Sequence, residues 1–103
     1  MATDIKDVVI IGGGIAGFST AYFLGKAGIR STVVEQDSVG SHASGFAYGG
    51  LSALGGVGIP GPNWPVAREG MRLHRDLALS LPDETGVNTE YRAKSSLALA
   101  FTE

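Results

Sequence analysis

A glycine-rich turn inside a strand, helix and strand pattern constrains this chain more than any other feature. The β-branched apolar run predicted as a strand over 6–11 is broken by three glycines at 12–14. Residues 15–27 then carry apolar side chains at helical spacing, which predicts a helix. Gly28 stands where a left-handed helix cap is common, and residues 31–35 return to a β-branched run. This order predicts one right-handed βαβ unit with a parallel sheet, and therefore an α/β fold of the Rossmann type.

The pattern Gly12-x-Gly14-x-x-Gly17 gives each glycine a separate physical task. Gly12 permits a tight turn, Gly14 lets the backbone approach a pyrophosphate, and Gly17 lets the helix lie close to the strand. Glu35 lies 21 positions after Gly14, at the tip of the second strand. Its carboxylate can accept hydrogen bonds from ribose hydroxyls and would repel a 2′-phosphate. The turn therefore predicts a dinucleotide site that favours NAD or FAD over NADP.

Composition excludes several other classes of function. The net charge of −2 gives no electrostatic reason to expect a nucleic-acid partner, and the absence of cysteine excludes thiolate zinc sites and a cysteine-linked flavin within these 103 residues. His42 and His74 lack ligand-like spacing, so we predict no metal. No apolar run is long enough to span a membrane. A cytoplasmic location is expected, which leaves peripheral association with the inner membrane open.

The stretch 37–62 distinguishes between the two cofactors. It is rich in glycine, serine and proline, whereas an NAD-linked dehydrogenase would place a third strand soon after Glu35. Small residues over this length suit a backbone that lies along an extended cofactor, so FAD is favoured. We assign residues 1–62 to a Rossmann-like cofactor-binding segment and residues 63–103 to the start of a substrate-side region.

Beyond the loop, a helix is predicted over 66–81, ended by Pro82. Two short strands are predicted over 89–93 and 95–102. Because the last of these reaches the end of the sequence without a closing element, we expect the chain to be the first segment of a longer protein.

The chain resembles the FAD-dependent oxidoreductases of the D-amino acid oxidase superfamily, in particular D-amino acid dehydrogenases and glycine oxidases. The resemblance covers most of the chain and is strongest over 7–51, where the glycine pattern and Glu35 are followed by Ala43-Ser44 and Gly49-Gly50-Leu51. It implies a set of cofactor-binding residues that extends from the phosphates to the flavin ring. These are Gly12, Gly14, Ile15, Ala16 and Gly17 at the pyrophosphate turn, Glu35 at the adenosine ribose, Gln36 near the adenine edge, Ser44 beside the phosphates, and Gly50 and Leu51 close to the flavin ring.

The resemblance implies oxidation of an amine or amino acid by hydride transfer from a C–N carbon to FAD, giving an imine that hydrolyses. Catalytic side chains are not identified, because substrate-recognising residues would come from the remainder of the chain or from a partner subunit. This segment alone is therefore expected to be inactive. An NAD-linked dehydrogenase fragment and a non-catalytic nucleotide-binding fragment or subunit remain the alternatives. His42 is expected to be an exposed loop histidine rather than a covalent flavin attachment site.

Overall fold

The computed structural model describes residues 8–54, 59–97, 99 and 101. The chain divides into two compact units, Met1–Gly49 and Gly50–Glu103.

The first unit is a single βαβ motif. Strand β1 (Val8–Ile11) is followed by helix α1 (Ile15–Lys26) and strand β2 (Ser31–Val34). The strands pair in parallel, with Val8 opposite Ser31 and Ile11 opposite Val34, and α1 contacts both of them. The predicted α/β class and the parallel connection through a helix are confirmed.

The end of α1 is determined by glycine, as its sequence predicts. Gly28 has a φ of 78°, in the left-handed region that an L side chain rarely adopts. Its N–H donates to the Gly25 carbonyl at 3.0 Å, and the Ile29 N–H donates to the Leu24 carbonyl at 2.9 Å. These two bonds form a Schellman cap, which satisfies carbonyls at the helix end and turns the chain into β2.

The segment after β2 contains a short helix that the sequence did not predict, α2 (Ala43–Phe46). The rest of the described stretch between β2 and residue 54 is irregular. No strand follows β2 within the described ranges 35–54 and 59–97. The third strand that an NAD-linked dehydrogenase would place here is therefore missing from the described residues.

The second unit contains a longer helix than predicted, α3 (Trp64–Thr85). It begins two residues early because Pro65 is tolerated in the first turn, where backbone N–H groups have no partner within the helix. The expectation that Pro82 ends the helix is wrong, since α3 continues through it. The helix ends at Gly86, whose φ is 75° and whose N–H donates to the Pro82 carbonyl at 2.8 Å.

The strand predicted over 89–93 is absent. Asn88 Oδ1 accepts a hydrogen bond from the Glu90 N–H at 3.0 Å, and Glu90 has a φ of 54°. A side chain that bonds the backbone two residues on, followed by a left-handed residue, makes a turn rather than a strand. The strand predicted over 95–102 is also absent from its described residues, and residues 98, 100 and 102 lie outside them.

One face of the two-stranded sheet is exposed. Val9 and Ile11 on β1 are 61% and 89% exposed, whereas their neighbours Val8 and Ile10 are half-buried on the opposite side. Successive strand residues point to opposite faces, so α1 covers one face only. No apolar side chain among the described residues is fully buried.

We expect the 103-residue chain expressed alone to aggregate and to bind FAD weakly, because an apolar sheet face of the described unit meets water. Size-exclusion chromatography with light scattering and a visible spectrum would measure both properties. A monomeric, yellow preparation of these residues would contradict the expectation.

Candidate cofactor-binding site

Residues 12–17, here called the first glycine turn, join β1 to α1 and make two close backbone contacts. The Gly12 N–H donates to the Val34 carbonyl at 2.8 Å, which ties the turn to the end of β2. A Cβ placed on Gly17 would lie 2.0 Å from the Gly12 carbonyl oxygen, a separation that real side chains do not reach. Gly12 itself has a φ of 105°. The first and last glycines of the pattern are therefore required by the backbone, before any ligand is considered.

The N-terminus of α1 is not neutralised by the helix's own side chains. Gly14 is the N-cap residue and provides no capping side chain, and the first turn carries no acidic residue. Free N–H groups and the helix dipole at such an end favour an anion. Ser44, which is distant in sequence, supplies a side-chain contact there: its Oγ accepts the Ile15 N–H at 2.9 Å. The Ser44 hydroxyl hydrogen can still be donated to an anion.

Glu35 lies beside the same turn, half-buried. Its Oε2 accepts the Gly13 N–H at 2.6 Å, and its Oε1 accepts the Asp37 N–H at 3.0 Å. The N–H of Asp37, then that of Gly13, lowers the pKa of Glu35 below its ordinary value of 4.5. Each carboxylate oxygen keeps a second lone pair. An ionised Glu35 can therefore hold the turn and still accept hydrogen bonds from a ligand's hydroxyl groups.

Two residues that the sequence analysis did not connect meet in the loop after β2. His42 Nε2 lies 2.7 Å from Asp37 Oδ2, and both side chains are more than half exposed. Ligand-type atoms of Glu35, Asp37 and His42 lie within 4.8 Å of one another. Glu35 and Asp37 are already engaged in the bonds described above, and the contact closes the loop that leads into α2. The sequence signal that could have predicted this contact is the five-residue spacing between Asp37 and His42 in a turn-rich stretch.

The remaining predicted cofactor residues lie on exposed backbone. Ala16 is exposed on the first turn of α1, and Gln36 is exposed directly after Glu35. Gly50 and Leu51 begin the second unit in an irregular exposed segment, with Leu51 44% exposed. The roles of Ala16 at the pyrophosphate, Gln36 near the adenine edge, and Gly50 and Leu51 close to the flavin ring stay predictions.

Several charged and polar residues of α3 are exposed to solvent. Arg68 and His74 are exposed, and Arg72 bonds Glu69 and Asp76 on the same helix. These pairs at i,i+3 and i,i+4 spacing are the ordinary neighbours of a helix surface.

Comparison with known proteins identifies the family. The family model described as FAD dependent oxidoreductase (DAO) matches residues 7–103. A glycine oxidase of Bacillus licheniformis is 37% identical over 94% of this chain, and a glycine oxidase of Geobacillus kaustophilus (strain HTA426) is 34% identical over the same share. One of the subunits of the opine oxidase from Rhizobium meliloti is 26% identical over 94% of the chain. No solved structure gives a significant match.

The chain therefore belongs to the DAO family of FAD-dependent oxidoreductases. The predicted family and its cofactor, FAD, are confirmed. The chain spans about a quarter of the length of the relatives named above, 26% in each case. Among the described residues, no helix is long and apolar enough to cross a membrane.

Gly17→Ala should destabilise the protein by about 1–3 kcal/mol, because the new methyl group collides with the backbone carbonyl of Gly12. Gly25→Ala is the matched control, since a Cβ at this position on the same helix meets nothing within 4 Å. The control should be neutral or stabilising, by up to about 1 kcal/mol. Urea unfolding of both variants measures the difference, and equal stabilities would contradict the tight contact.

Glu35 should contribute to stability in a pH-dependent way. Its folded-state pKa is lowered, so its contribution is fully present above the unfolded-state value near 4.5 and is lost as the pH falls through the folded-state value. Glu35→Gln should therefore lower Tm at neutral pH, and this deficit should disappear as the pH falls from the unfolded-state value through the lowered folded-state value. Asp83→Asn, at an exposed carboxylate on α3, is the control. A Tm deficit for Glu35→Gln that is constant with pH would contradict the assignment.

The flavin should be bound without a covalent link to His42, because this side chain faces Asp37 within the loop. Acid precipitation of the full-length protein should release all yellow colour into the supernatant, for the wild type and for His42→Ala alike. Colour retained in the wild-type pellet and lost from the His42→Ala pellet would instead identify an attachment site.

Proposed function

We propose that this chain is the FAD-binding N-terminal part of an enzyme that oxidises the C–N bond of a small amine or amino acid. The observation that carries the proposal is the first glycine turn with Glu35 bonded across it, in a chain of the DAO family. When bound, FAD would supply the redox chemistry by accepting a hydride from the carbon next to the amine nitrogen. The protein's own residues supply binding, orientation and exclusion of water.

The donor set of the first unit fits the ADP half of FAD. The N–H groups at the start of α1 and the Ser44 hydroxyl suit a pyrophosphate. Glu35, ionised and with lone pairs to spare, suits the ribose hydroxyls and disfavours a 2′-phosphate. We propose that the other predicted cofactor residues keep their separate roles: Gly12, Gly14, Ala16 and Gly17 at the pyrophosphate turn, Gln36 near the adenine edge, and Gly50 and Leu51 close to the flavin ring.

The names of the relatives support a substrate class. Two of the relatives named above are glycine oxidases, and the third belongs to an opine oxidase. All three names refer to oxidation of a nitrogen-bearing acid. We therefore expect a substrate in which a carboxylate and an amine share one carbon, recognised by residues outside this chain or by a partner subunit.

An NAD-linked dehydrogenase is disfavoured by the described residues, since no strand follows β2 in them. A non-catalytic nucleotide-binding subunit would keep the same turn and the same Glu35 contacts. Only the measurement of a catalysed reaction distinguishes that alternative from an enzyme.

The test is anaerobic mixing of the full-length protein with paired substrates that carry either an amine or a hydroxyl group at the same carbon. Glycine and glycolate form one pair, D-alanine and D-lactate a second, and an opine is tested separately. We expect the oxidised-flavin absorption to bleach with an amine-bearing compound and to persist with its hydroxy-acid partner. Bleaching by the hydroxy acid alone, or by NADH alone, would contradict C–N oxidation. Bound flavin that no compound bleaches would favour the non-catalytic alternative.

A further inference from the structure

The loop after β2 repeats the geometry of the first glycine turn. Gly40 has a φ of 67°, and a Cβ placed on Gly45 would lie 2.2 Å from the Gly40 carbonyl oxygen. In the first turn, the corresponding values are 105° at Gly12 and 2.0 Å between a Cβ on Gly17 and the Gly12 oxygen. In both turns a left-handed glycine precedes a helix by three residues, and a glycine five positions on touches its carbonyl. We call residues 40–45 the second glycine turn.

The two turns are joined by hydrogen bonds. The Gly40 N–H donates to the Gly13 carbonyl at 3.0 Å, and Ser44 Oγ accepts the Ile15 N–H at 2.9 Å. Ser44 also lies where a side chain on Gly14 would be, since a Cβ there would be 3.0 Å from its Oγ. The second turn is thus anchored at its first residue and presents its fifth residue to α1.

We infer that Gly45 is a positioning residue that acts through Ser44. The close approach of Gly45 to the Gly40 carbonyl folds residues 40–45 tightly enough for the Ser44 hydroxyl to reach the Ile15 N–H. A methyl group at Gly45 would push against backbone, which cannot give way as a flexible side chain can. The turn would open and the hydroxyl would leave the end of α1.

The consequence for binding rests on the proposed function. If the pyrophosphate of FAD lies at the start of α1, a displaced Ser44 removes one charge-assisted hydrogen bond from it. Loss of such a bond corresponds to about a tenfold weaker affinity. Gly45 would then determine FAD affinity without touching FAD.

The test uses full-length protein carrying Gly45→Ala, Ser44→Ala, both changes together, or Gly25→Ala as the control. Hydrogen–deuterium exchange at the Ile15 N–H is measured without FAD, and the Kd for FAD is measured by flavin fluorescence. We expect faster Ile15 exchange and about tenfold weaker FAD binding in Gly45→Ala and in Ser44→Ala. The double variant should be no worse than either single one, and Gly25→Ala should match the wild type.

A second pair of variants decides the matter if Gly45→Ala does not fold. Gly40→Ala strains the same turn through its positive φ, although a Cβ there meets nothing within 4 Å. Gly40→Asn is the conservative partner, because asparagine tolerates the left-handed region. Ile15 exchange should rise in Gly40→Ala and return towards the wild-type rate in Gly40→Asn.

Unchanged Ile15 exchange in the folded turn variants would overturn the inference. Additive effects of Gly45→Ala and Ser44→Ala on the Kd would overturn it as well, because Gly45 would then act by another route. Failure of the wild type to bind FAD would count against the proposed function alone, since the exchange result concerns the free protein.

Discussion

The close approach of Gly17 to the Gly12 carbonyl is the contact on which the first unit depends. It lets α1 begin directly after a three-glycine turn from β1, and the Gly12 N–H ties that turn to the end of β2. A side chain at Gly17 would force the helix away from the strand. The Gly13 and Ile15 N–H groups would then no longer face Glu35 and Ser44. The arrangement of the whole candidate site therefore depends on the absence of a Cβ at Gly17.

Parallel pairing places the other half of the site. Because β1 and β2 run in the same direction, both end at the edge from which the first glycine turn and Glu35 emerge. The positive N-terminal end of α1 and the Glu35 carboxylate, whose pKa is lowered, therefore lie side by side, and the Gly13 N–H donates to that carboxylate. The positive helix end suits phosphates, and the carboxylate suits the hydroxyl groups of an adjacent ribose. The opposite face of the same sheet carries the exposed side chains of Val9 and Ile11.

Features set by local chemistry could be predicted from the sequence. Gly28 requires only a left-handed residue at a helix end, and Glu35 follows from its distance to the glycine pattern. Features that depend on competition between local preferences could not be predicted from the sequence. Pro82 does not end α3, which continues to the left-handed Gly86 four residues later, and the strand expected at 89–93 is replaced by a turn centred on Asn88 and Glu90.

The short helix α2 and the second glycine turn depend on contacts with residues far away in sequence. A four-residue helix has too few internal hydrogen bonds to be stable by itself, so no local pattern predicts it. Its position depends on the Gly40 bond to Gly13 and the Ser44 bond to Ile15. The repeated five-residue glycine spacing was visible in the sequence, but its meaning required the structure.

A crystal structure of the full-length protein with FAD would test the central claim most directly, namely that the first glycine turn and Glu35 hold the ADP half of FAD. The pyrophosphate should lie against the start of α1 and the Ser44 hydroxyl, and Glu35 should accept hydrogen bonds from the adenosine ribose. FAD bound with its ribose away from Glu35, or with its pyrophosphate away from residues 12–17, would contradict the claim.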